Sequence, residues 1–136
     1  MANTLYDNAR RLFLIGSFNW ETDTIKAILV DTGTYTANFT THTTLADISN
    51  SAIISTASLT GKTATGGAAD ANDVTFTSVS GASIEAIILY RETNSSTPSQ
   101  NALIAYIDTA TGLPITPNGG DIIVTWDNGT NKIFRL

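Results

Sequence analysis

Apolar residues recur along this chain in two rhythms. Leu5, Ala9, Leu12 and Phe13 fall at helical spacing, Thr4 with Asp7 three residues on has the form of a capping box, and Gly16 stands where a helix would stop. The spacing predicts one amphipathic helix over residues 4–15, packed on a sheet through that face, with Tyr6 and Arg10 outside. Beyond it the rhythm shortens. Residues 25–31, 74–79, 84–91, 102–108, 122–126 and 132–136 are short segments, β-branched or aromatic, bounded by Gly, Asn, Asp or Ser, and read as six strands.

The stretch from Ile84 to Tyr90 is almost continuously apolar, which predicts a central strand covered on both faces. Its expected neighbour is 102–107, across a polar loop at about 92–101. Ile122, Val124 and Trp126 alternate with Ile123 and Thr125, and Asp127-Asn128-Gly129-Thr130 then offers residues that accept positive φ, so 122–126 and 132–136 are expected to pair as a hairpin. The middle is less patterned. Residues 32–44 read as a Thr-rich loop, 45–48 as one helical turn and 66–72 as a flexible turn. No repeat or domain-sized linker divides the chain. The expectation is a mainly β protein: residues 1–136 as a single β-sandwich or jelly-roll-like domain with one N-terminal α-helix.

Composition sharpens this. The 136 residues include 23 Thr, 11 Ser and 11 Asn, while only 14% are charged, far from a disordered or coiled-coil composition. The net charge is −5 and the seven cations are scattered, so no basic stripe exists to track phosphates, and nucleic acid is not an expected partner. No cysteine is present, which removes disulfides and thiolate chemistry. No apolar run approaches the length of a membrane helix, and the N-terminal stretch lacks the form of a secretory leader, so a soluble, unprocessed protein is expected.

Fragments of known motifs occur without their complements. Asp31-Thr32-Gly33 after an apolar strand has the form of an aspartic-protease turn, which would need a second Asp supplied by homodimerisation; an ordinary Asp-x-Gly turn is the simpler reading. Gly61-Lys62-Thr63 lacks the earlier glycine of a phosphate loop, since Thr56 stands there. His42 has no second His or Cys to build a zinc site and is expected to be an exposed loop side chain. Asp70-Ala71-Asn72-Asp73 lacks the oxygen spacing of a calcium loop. Asn38, Asn94 and Asn128 begin glycosylation triplets that a chain so rich in Ser and Thr produces by chance. The chain therefore reads as a non-enzyme, with no cofactor or metal implied.

The order of Met1-Ala2-Asn3-Thr4-Leu5-Tyr6-Asp7, Asp23-Thr24-Ile25-Lys26-Ala27-Ile28-Leu29-Val30-Asp31, Asp73-Val74-Thr75-Phe76, Ile88-Leu89-Tyr90-Arg91, Leu103-Ile104-Ala105-Tyr106-Ile107-Asp108 and a closing Gly-Gly-Asp-Ile segment resembles small structural proteins of tailed-bacteriophage virions. The likeness spans most of the chain and departs from the family pattern at residues 64–71. The resemblance implies a capsid cement or decoration protein on the virion surface, with the major capsid protein and further copies of itself, as a homo-trimer, for partners. A receptor-binding module of a tail or fibre is the alternative, and a homodimeric protease using Asp31 a remote one. Docking needs exposed apolar or aromatic anchors, for which Tyr35 and Phe39 in the Thr-rich loop, with Tyr6 and Arg10 on the helix, are the candidates, the alternative for Tyr35 and Phe39 being that both fold back onto the sandwich as core.

Overall fold

The computed structural model describes residues 3–136. Nine strands and one α-helix follow one another: β1 (Thr4–Leu5), α1 (Asp7–Leu14), β2 (Ile25–Val30), β3 (Ile53–Ser58), β4 (Ala68–Ala69), β5 (Val74–Phe76), β6 (Ala86–Arg91), β7 (Ala102–Ile107), β8 (Ile122–Val124) and β9 (Phe134–Arg135). The protein is mainly β and sandwich-like. Its principal layer is an antiparallel sheet in the order β1-β7-β6-β2-β3. Two short ladders, β5 with β8 and β4 with β9, complete it.

Residues 86–90 of β6 are all buried, as its continuous apolar run predicts for a central strand, and β7 lies beside it and is buried along its whole length. Leu29, Ile87 and Ile107 are partners across β2, β6 and β7, so they project from one face. Ile28, Ile88 and Tyr106 project from the other. Val74, Phe76 and Trp126 join the sheet residues in one buried cluster. Two indole N–H groups fix this packing to a single backbone stretch: Trp20 Nε1 donates to Asp70 O at 3.0 Å and Trp126 Nε1 to Asn72 O at 3.0 Å. The Asp70-Ala71-Asn72-Asp73 segment, which lacks calcium-loop spacing, is thus an anchoring track for two tryptophans.

Three expectations change. The helix begins at Asp7, because Thr4 and Leu5 pair with Tyr106 and Ala105 as β1; Tyr6 is the N-cap, with no side-chain cap. Gly16 does end it, at φ 73°, donating to Phe13 O while Ser17 N donates to Leu12 O. The C-terminal hairpin does not form: β8 pairs with β5 and β9 with β4. Asp127 Oδ1 instead accepts from Gly129 N at 3.0 Å, and the left-handed residue is Lys132 at φ 51°, so the chain turns away from β8. Finally, the turn expected at 66–72 contains β4, and β3 appears where only Ile53 and Ile54 gave an apolar signal.

Candidate functional site

Of the four predicted anchors, two are interior. Tyr6 has no exposed surface and Tyr35 is 4% exposed, which corrects the outward placement of Tyr6 and removes Tyr35 as a surface anchor in the free protein. Tyr6 Oη lies 3.0 Å from Tyr35 Oη, which lies 2.8 Å from His42 Nδ1. Asn38 N also donates to that nitrogen, at 3.2 Å. His42 is half-buried rather than an exposed loop side chain. Burial pushes the Tyr6 and Tyr35 hydroxyls above the ordinary phenol range, and the Tyr6–Tyr35 hydrogen bond adds to the rise at Tyr6. Phe39 is half-buried, its ring edge-on to Tyr6 at 5.3 Å and to Tyr106 at 5.4 Å. These contacts pin the Thr-rich loop to the sheet: its aromatics are a core.

Arg10 stays at the surface as expected, donating to Asp7 Oδ1 at 2.9 Å, Leu5 O at 2.9 Å and Thr4 Oγ1 at 3.1 Å. Asp31 uses its carboxylate within its own turn, accepting from Gly33 N at 2.9 Å and Thr34 Oγ1 at 3.1 Å, the arrangement of an Asx turn. Gly61-Lys62-Thr63 leads into a bridge between Thr63 and Asp70, followed only by the three-residue 3-10 turn Thr65–Gly67 and by no α-helix. Among the described residues, no three His, Asp or Glu side chains converge to hold a metal ion.

The surface feature that stands out is a groove beside the β1 edge of the main sheet. It is walled by β1, the end of β7, the end of α1 and residues 131–136, and encloses about 1060 Å³. A second hollow of about 510 Å³ continues it along β8, sharing Ile107, Asp127, Lys132 and Ile133. Each is of the order of size of a ligand-holding cleft, with walls that mix polar and apolar groups. The large exposed hydrophobics of the described chain are Leu14, Ile15, Ile123 and Leu136, and three of these, Leu14, Leu136 and Ile123, line the groove or its extension. Leu14 is 87% exposed, which leaves almost its whole side chain in water at a cost of about 2 kcal/mol relative to burial.

The sequence carried a weak signal for these positions. Leu14 lies past the four residues of the helix stripe, and Ile123 is apolar on the side of an alternating strand expected to be polar. Their convergence was not legible, since the groove is built from residues near 5, 14, 107 and 135. No protein-family model matches this chain, and neither does any curated protein.

Proposed function

We propose that this chain is a non-enzymatic structural protein of a tailed-phage virion, a capsid cement or decoration protein that binds and stabilises the shell of the major capsid protein. The observation that carries a docking role is the placement of exposed Leu14 and Leu136 on one groove, with exposed Ile123 on the hollow that continues it. Isolated exposed hydrophobics need no explanation, whereas exposed hydrophobics gathered along adjoining concavities suit a contact surface. The few charges on the chain help in the same direction, because uncharged hydroxyl and amide side chains cost less to desolvate than ions do. The sequence resemblance supplies the virion context, the capsid partner and self-association as a homo-trimer.

The experiment is removal of the protein from assembled heads. Cementing predicts that heads lacking it release DNA at a lower temperature and recover when purified protein is added back. Unchanged head stability together with labelling on the tail in micrographs would refute the cement role in favour of the receptor-binding one.

A further inference from the structure

We propose that His42 is an acid-sensitive latch on the Thr-rich loop: its neutral ring holds the turn at residues 38–42 in place, and protonation of Nδ1 releases that turn. The proposal stands apart from the docking reading above, because it concerns a contact inside the chain. His42 Nδ1 lies 2.8 Å from Tyr35 Oη and accepts from Asn38 N at 3.2 Å. A backbone N–H can only donate, so Nδ1 carries no proton and the hydrogen of the neutral ring sits on Nε2. That choice orders the hydroxyls behind it. Tyr35 donates its single proton to Nδ1, and the Tyr6 hydroxyl donates to Tyr35 Oη across 3.0 Å.

A proton on Nδ1 breaks this order at two points. Asn38 N–H would then face another N–H, and Tyr35 would turn from donor to acceptor towards His42. One hydrogen of the two phenols would be left without an acceptor, since Tyr6 has no exposed surface, Tyr35 is 4% exposed, and neither hydroxyl has a further partner among the described residues. Departure of the ring relieves both conflicts. His42 is half-buried and Asn38 is exposed, so water reaches the charged imidazole and the freed amide once the turn opens. The other titratable groups of the cluster are Tyr6 ahead of α1, Tyr35 in the loop, Tyr106 on β7 and Asp47 in the 3-10 turn Leu45–Asp47. Burial keeps the phenols neutral, and donation from Thr43 N and Thr44 N holds the Asp47 carboxylate below its ordinary range. Between about pH 7.5 and pH 5 these charges stay fixed, and the histidine is the side chain able to change. Asp47 attracts a charged imidazole, yet it is bonded to neither Asn38 N nor Tyr35 Oη, so the conflict at Nδ1 remains.

The experiment follows the full-length protein by NMR from about pH 7.5 to pH 5. His42 is the sole histidine, so its ring nitrogens are read without ambiguity. The turn reports on itself through two amides: Asp7 N donates to Phe39 O at 2.9 Å and His42 N to Asn38 O at 2.9 Å. Nδ1 should be bare at the upper pH. As the ring gains its proton, both amides should exchange about tenfold faster or more, after correction for intrinsic rates, while the β2–β6 ladder keeps its protection. His42→Asn supplies Oδ1 as an acceptor that does not titrate, and should keep both amides protected down to pH 5; Asp47→Asn should retain the acid-dependent loss. The proposal is overturned by a proton on Nδ1 at pH 7.5, by a ring that stays neutral to pH 5, or by a ring that protonates with both amides still protected. The same acid-dependent loss in His42→Asn, or none in Asp47→Asn, would overturn it equally.

Discussion

Asn101 offers the sharpest test of how this fold is held. It is 1% exposed and is the one buried polar side chain among the described residues. Its Oδ1 accepts from Thr93 N at 2.9 Å and Asn94 N at 3.1 Å, and its Nδ2 donates to Asn94 O at 3.0 Å. The side chain thereby ties the loop after β6 to the start of β7. Replacing it by Ala deletes all three bonds. At a net value of about 1 kcal/mol each, Asn101→Ala should cost about 3 kcal/mol. For a chain of this length that is a fall in thermal midpoint of about 10–15 °C. Ser95→Ala, at an exposed position of the same loop, should change the midpoint by less than about 2 °C. Calorimetry and urea unfolding measure both, with an unchanged m-value showing that stability alone has moved. Amide exchange adds a local readout, since Thr93 and Asn94 N–H should lose protection in the variant. An Asn101→Ala midpoint within about 2 °C of wild type, with both amides still protected, would refute the assignment of stability to this side chain.

Further outcomes follow from the same interior. All four tyrosines are shifted upward by burial, Tyr90 to about 12 and Tyr6, Tyr35 and Tyr106 in the same direction, so they stay neutral in the fold while the unfolded chain ionises near pH 10. Their contribution is complete below that pH and is lost as pH rises; the urea midpoint should fall steeply above about pH 10, with tyrosinate absorbance appearing only as the protein unfolds. Asp47 is shifted downward: its desolvation opposes the charge, but donation from Thr43 N and Thr44 N outweighs that, aided by nearby His42. Its contribution is present at neutral pH and lost as pH falls, so Asp47→Ala should be less stable than wild type at pH 7, with the gap narrowing as acid protonates the native carboxylate. Trp126→Phe removes the bond to Asn72 O and some packing, which should cost about 1–3 kcal/mol in urea unfolding; no loss would contradict the anchoring role of that indole.

Local chemistry made β2, β6 and β7 legible, because a short, nearly continuous apolar run has few ways to leave water other than as a strand covered on both faces. The positive φ at Gly16 was legible for a similar reason, since few residues tolerate that conformation. β3 was not, as its later residues, Ser55 to Ser58, are small and carry no alternation; β2 recruits them by hydrogen-bonding its open edge. Tyr6 and Arg10 lie four residues apart and looked equivalent from the helix pattern. The sheet separated them, because β1 carries the chain in beside β7 and places the Tyr6 hydroxyl beneath the Thr-rich loop.

From its residues alone the chain determines the fold class, the α-helix, the central strands, and a composition low in charge and rich in hydroxyls. Tertiary structure decided which strands pair at the C-terminus, which aromatics become core, and where apolar surface is left over. Propensity and periodicity act over a few residues, whereas the groove exists because β1, α1, β7 and the final residues, far apart in sequence, meet in space. Such a surface is a remainder of packing, set by what the other side chains have already filled.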